Sequence, residues 1–117
     1  MKKQRSPCPI SNALDILGDK WTLLVIRDLL AGKTHFKEFM ASPEKISSSI
    51  LTVRLKQLVD EEMIEQEPST PVPGKMAYRL TPRGESLYPV IKAMAVWGLH
   101  HIPGTEALIK LNHKAKK

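Results

Sequence analysis

Residues 36–80 constrain this chain more than any other stretch, because their apolar spacing changes period within a short distance. Phe36, Phe39 and Met40 are spaced for the inner face of a short helix, and residues 41–46, with Pro43, supply a turn. Ser47 is placed to cap a second helix running to about residue 62. At about 100° per residue, Leu51, Leu55 and Leu58 fall on one stripe bordered by Ile50 and Val59. Residues 63–68 and 75–80 then alternate as two short strands around Thr70-Pro71-Val72-Pro73-Gly74, a strong turn sequence. Helix, turn, helix and hairpin in this order predict a mainly α fold with a small β-hairpin, the winged helix-turn-helix. In that arrangement one helix enters the DNA major groove and the hairpin lies beside it.

The flanks supply the remaining core. Ser11 is expected to cap a helix bearing Ala13, Leu14, Ile16 and Leu17, Gly18 to end it, and Asp19 to cap the next. Trp21, Leu23, Leu24, Val25, Ile26, Leu29 and Leu30 are apolar nearly all round, which predicts a buried strut ending at Gly32. Thr34 is the expected cap of the short helix that follows. Further on, Thr81-Pro82 begins a helix with proline at its first position, carrying Leu87, Val90, Ile91, Met94, Ala95, Val96, Trp97 and Leu99. So apolar a helix exceeds what a small core can cover, which points to the same helix of a second copy. Leu87, Val90, Ile91, Met94 and Trp97 are therefore the expected homodimer contacts, with Ala107, Leu108, Ile109 and Leu111 as an amphipathic extension across the partner. Trp21 and Trp97 read as core and interface anchors, and Met40, Met63, Met76 and Met94 as core filler.

A chain of 117 residues suits one domain with a single core. Its expected division is a flexible basic tail over 1–7, a winged-helix domain with C-terminal dimerisation helices over 8–112, and a basic tail over 113–117. The net charge of +6 is carried by the two ends, since residues 8–109 hold 11 basic and 12 acidic side chains. Global charge therefore says little, and the local pattern says more. Residues 33–56 hold five basic side chains against two acidic ones, whereas acids concentrate between positions 60 and 67. No apolar run approaches the roughly 18 residues of a membrane span, and the charged start lacks a following apolar segment. The expectation is a cytoplasmic protein without a membrane partner.

Opposite the leucine stripe the second helix carries Ser49, Val53, Lys56 and Gln57, with Thr52 at the margin and Ser47 and Ser48 in the first turn. Small hydroxyl residues at a helix start allow close approach to a groove, and the free amides there favour a phosphate. Double-stranded DNA is the expected partner. Ser47, Ser48, Ser49, Thr52, Val53 and Lys56 are the candidates for the groove, and Lys37, Arg54, Lys75 and Arg79 for phosphate or the minor groove. Arg54 lies near the core border, where two roles stay open: a phosphate contact, or a pair with an acid of a neighbouring helix. A winged-helix protein-interaction module without sequence-specific DNA binding is the alternative, because fold does not fix function.

Enzyme chemistry finds no foothold. There is no phosphate-cradling glycine loop and no Ser/His/Asp set on a suitable scaffold. His100 and His101 are neighbours whose side chains diverge by about 100° on a helix, and His113 lies further on, so no metal and no cofactor are expected. These residues do not identify a small-molecule effector. Cys8 is the single cysteine and cannot form an internal disulfide.

Four stretches are similar to a known family: CPISNALDILGDKWTLLVIRDLL at 8–30, HFKEF at 35–39, ISSSILTVRLKQLVDEEMIE at 46–65 and VPGKMAYRLTPRGESLYPVIKAMAVWG at 72–98. In order and spacing they resemble the HxlR-type transcription regulators, winged helix-turn-helix proteins related to the MarR-like group. The resemblance implies a homodimer on an inverted-repeat operator, with the helix from Ser47 in the major groove and a wing over 73–75 beside the minor groove. It also makes Cys8 a candidate sensor, since members of that family respond to quinones, aldehydes or oxidants through a cysteine at this place. A thiol at a helix start with Lys2, Lys3 and Arg5 nearby has the setting that favours its thiolate. One departure is Ser47-Ser48-Ser49, where relatives often carry a longer polar residue, so fewer base contacts are expected from this turn.

Overall fold

The structure, a computed structural model, describes residues 4–107. In chain order it forms α1 (Pro9–Leu17), α2 (Thr22–Leu30), α3 (Phe36–Met40), α4 (Ser48–Asp60), β1 (Ile64–Pro68), β2 (Met76–Leu80), α5 (Pro82–Glu85) and α6 (Tyr88–His101). The winged helix-turn-helix expected from the spacing is present: α3 and α4 form the helix pair, and the strands pair antiparallel in one two-stranded sheet. The register runs from Ile64 opposite Leu80 to Pro68 opposite Met76. Pro68, which cannot donate to a ladder, ends its strand.

The core forms where the apolar stripes converge. Ile26 of α2, Phe39 of α3, Leu51 and Leu58 of α4 and Ile64 of β1 are its largest fully enclosed side chains. Leu55 completes the α4 stripe, and Met63 closes the corner into β1. Burying such a side chain stabilises by roughly 1.5–3 kcal/mol, which is why this set fixes the angles between helices. Close approach decides one further position. A Cβ on Gly84 would fall on the carbonyl of Met63, so only glycine lets α5 pack against the α4–β1 corner.

Several expectations need correction. The first helix is capped at Cys8 rather than Ser11, because Pro9 fits the first helical turn and carries no N–H to satisfy. His35, one residue beyond Thr34, is the N-cap of α3. The single helix expected after Thr81 is two, α5 and α6. Pro89 cannot donate to the Glu85 carbonyl and its ring would strike it, so the chain turns at residues 86–87. Met63 is buried, but Met40, Met76 and Met94 are exposed rather than core filler. Leu87 and Ile91, expected at the dimer contact, are 9% and 8% exposed and pack inside this chain's own core. They occupy the α6 face that meets α2, which periodicity could not distinguish on a helix apolar all round. Ala107 is exposed and outside any helix, while Leu108, Ile109, Leu111, His113 and the tail over 113–117 lie outside the described residues. Arg5, in the stretch expected to be flexible, pairs with Asp15 at 2.7 Å.

Candidate nucleic-acid interface

Alternation along α4 separates an inner from an outer face. Leu51, Leu55 and Leu58 are buried, while Ser47, Ser48, Ser49, Thr52, Val53, Lys56 and Gln57 are exposed together on the other side. The Ser47 hydroxyl accepts the Ile50 amide at 3.2 Å, so this residue starts the helix as expected. Thr52 donates its hydroxyl to the Ser48 carbonyl at 2.8 Å, and Lys56 lies 3.7 Å from Asp60 one turn on. Lys37 is exposed on α3 and Lys75 is exposed next to the hairpin tip, where Gly74 takes φ +83°.

Arg54 occupies the second of its two open roles. Its Nη1 donates to Gln57 Oε1 at 2.6 Å, and its Nε lies 3.6 Å from Asp19 Oδ2. That Nε is buried without a hydrogen-bond partner, and the side chain is turned toward the α1–α2 corner. Burial raises the Asp19 carboxyl, but the Thr22 hydroxyl, the Trp21 and Thr22 amides and the Arg54 charge outweigh it, so the group sits below the ordinary aspartate value. The sequence predicts Asp19 as the cap of α2, but the N-cap is Trp21; Asp19 lies two residues earlier, and its carboxylate still accepts the Trp21 and Thr22 amides at 2.9 and 3.0 Å. Arg79 is also paired, with Glu65 at 3.0 Å and Glu67 at 4.0 Å along the hairpin, so a phosphate at Arg79 has two carboxylates as competitors.

Two groups that pattern reading passed over hold these parts in place. At the turn before α4, Asp28 is buried and accepts from Ser42 Oγ at 2.6 Å and from Arg27 Nε at 3.0 Å. Arg27 also grips Glu44 through two bonds of 2.8 Å, a bidentate pair that holds the Glu44 carboxyl below its ordinary value and raises the Arg27 guanidinium. This cluster ties the turn over 41–46 to the end of α2. The second group is His35, which joins the start of α3 to the wing. Its signal was the spacing to Glu38, whose carboxylate accepts the Thr34 and His35 amides at 2.7 and 2.9 Å. Those bonds hold Glu38 below the ordinary glutamate value.

Cys8 is exposed at the start of α1, its amide donating to Ser6 Oγ at 3.2 Å. Large apolar side chains also remain exposed on two helices: Ile10 and Leu14 on α1, and Val90, Met94, Val96, Trp97 and Leu99 on α6, with Trp97 60% exposed. His101 stacks on Trp97, ring centroids 4.9 Å apart. Among the described residues no helix is long and apolar enough to cross a membrane, and no group of three or more His, Cys, Asp or Glu gathers as a metal site.

Residues 16–106 match the family model described as HxlR-like helix-turn-helix. The chain is 40% identical over 91 residues to the uncharacterised HTH-type transcriptional regulator YdeP of Bacillus subtilis, covering 78% of this chain and 71% of that one. Its fold is similar to the redox regulator HypR in its reduced form, with TM-score 0.74, 30% identity and coverage of 82% of this chain and 95% of that one. It is also similar to the reduced form of the transcriptional regulator YodB of B. subtilis, with TM-score 0.66, 34% identity and coverage of 86% and 100%. YodB has been solved bound to a quinone as well.

Proposed function

This chain belongs to the HxlR-like helix-turn-helix family of transcriptional regulators, and we propose that two copies of it bind a pseudo-palindromic site on double-stranded DNA. Membership implies DNA binding, and the observation that supports this mode most is the outer face of α4. It is exposed, rich in hydroxyls, bears Lys56, and stands beside a hairpin presenting Lys75. In this reading Ser47, Ser48, Ser49, Thr52, Val53 and Lys56 meet the groove, and Lys37, Lys75 and Arg79 meet phosphate or the minor groove. Arg54 reaches a phosphate only by leaving Asp19, so its contribution to the interface is indirect in the free protein. The described apolar surface of α1 and α6 is the proposed dimer contact, carried by Val90, Met94 and Trp97 with Ile10 and Leu14. The domain then spans about residues 8–112 between two basic tails. Retention of genomic fragments on the full-length protein, followed by sequencing, tests the reading. A shared inverted repeat is expected, and retention without sequence preference overturns it.

Cys8 is the proposed point of response, supported by its exposure and by the likeness to HypR and YodB. Addition to a quinone breaks the S–H bond and forms an S–C bond at the ring; the thiol proton goes to one ring oxygen and the hydrogen of the attacked ring carbon moves to the other, leaving a thioether hydroquinone. Diamide instead takes two hydrogens from Cys8 and a second thiol, giving a hydrazine and a disulfide. The second thiol must come from another copy or a small thiol, because Cys8 is the chain's one cysteine. Treatment is expected to change DNA affinity in the native protein and not in Cys8→Ser. Equal affinity before and after treatment in both removes the assignment.

A further inference from the structure

We propose that His35 is a wing-positioning residue: its ring sets the direction in which the hairpin loop presents Lys75 to DNA. The inference rests on the DNA-binding reading and deepens it. His35 Nε2 lies 2.8 Å from the hydroxyl of Ser69, and Nδ1 lies 2.8 Å from the hydroxyl of Thr34. One ring thus spans 34 positions of sequence, from the start of α3 to the base of the loop over 69–75.

Ser69 is the hub of that loop. It is buried, its amide donates to the Lys75 carbonyl at 2.8 Å, and its hydroxyl accepts the Val72 amide at 3.0 Å. With the Val72 amide on one lone pair, the hydroxyl keeps its proton and a second lone pair for the ring. Either neutral tautomer closes the network, because the Ser69 and Thr34 hydroxyls can each donate to or accept from the ring nitrogen they face. Each partner is satisfied, and the ring is fixed at both ends.

The backbone around His35 joins the same elements. The Tyr78 amide donates to the Thr34 carbonyl at 2.8 Å, and His35 forms an isolated bridge with Ala77. These contacts hold the β2 side of the hairpin but leave the loop to Ser69. Removing the ring leaves the hairpin paired and the loop closed by Ser69's own bonds, but cuts the loop's side-chain tie to the start of α3, so its direction against the domain is no longer fixed. An exposed lysine on a loose loop retains its charge but loses its place against a phosphate.

The test is DNA binding by the full chain over a range of salt, with the selected operator and with fragments of random sequence. His35→Ala is expected to weaken operator binding by about threefold to tenfold and to lower the salt slope by about one unit, as Lys75→Ala does. The double variant is expected to match Lys75→Ala alone, because one contact cannot be lost twice. His35→Gln, which can still reach Ser69, is expected to recover part of the loss. Ser69→Ala approaches the bond from the other side and serves if His35→Ala does not fold. A slope unchanged in His35→Ala and Ser69→Ala, or losses that multiply in the double variant, overturns the positioning role while leaving DNA binding intact. Absence of salt-dependent retention by the native chain overturns both.

Discussion

Asp19 and Arg54 face each other across the corner where α1, α2 and α4 meet, with Nε and Oδ2 3.6 Å apart. The aspartate at the start of α2 thus also holds a residue of the helix proposed to enter DNA. Asp19→Ala removes the acceptor of the Trp21 and Thr22 amides at the start of α2 and the ion-pair partner of a buried guanidinium nitrogen. Loss of such a carboxylate at a helix start costs about 0.5–2 kcal/mol. In urea unfolding the double variant with Arg54→Ala should be less destabilised than the sum of the single variants, because Arg54 no longer lacks its partner. Additive losses contradict the coupling.

Acid should weaken this fold through a small set of carboxylates. Asp19, Glu38 and Glu44 all sit below their ordinary values in the folded chain. A lowered folded value means stability that is complete above the unfolded value and lost as pH falls through the folded one. Urea midpoints should therefore be level near neutrality and fall steadily below about pH 4.5. Glu44→Gln, which forgoes the charged pair with Arg27, should show a shallower fall over the same window.

Lys56 and Lys75 lie outside the core, so their loss should separate binding from stability. Lys56→Ala and Lys75→Ala are each expected to change unfolding by no more than about 0.5 kcal/mol. Each should lower the logarithmic salt slope of DNA binding by about one. Isotherms matching the native protein across salt would remove these residues from the interface.

Substitution on the exposed side of α6 should act through assembly and leave the fold unchanged. Trp97→Glu adds a charge where the native side chain is largely exposed, leaving the core untouched. Sedimentation is expected to show a shift toward monomer, with far-UV circular dichroism unchanged and operator affinity reduced. A dimer unaffected by both Trp97→Glu and Met94→Lys would place the contact elsewhere.

Gly84→Ala should be damaging although it adds a single methyl group. The new Cβ falls against backbone at Met63, which cannot swing aside as a side chain can. A loss of about 1–3 kcal/mol is expected in thermal or urea unfolding. At Gly98, where a Cβ meets nothing within this chain, the same change should leave the monomer's stability intact.

The sequence by itself determined the order of elements through the hairpin and the inner face of α4. Leu51, Leu55 and Leu58 recur at helical spacing, Ser47 precedes them as a cap, and the Pro/Gly turn closes the hairpin; all three signals are local. It also carried the motifs that identify the family. Only the tertiary structure decided which side of α6 is covered, sending Leu87 and Ile91 inward and leaving Met94 and Trp97 outside. A helix apolar on every side has no periodic signal to orient it, so its orientation comes from packing against α2. The same holds for Asp19 with Arg54 and His35 with Ser69. Their partners lie some 35 positions apart, and a single contact between two polar side chains, ion pair or hydrogen bond, leaves no repeat in the chain from which it could be read.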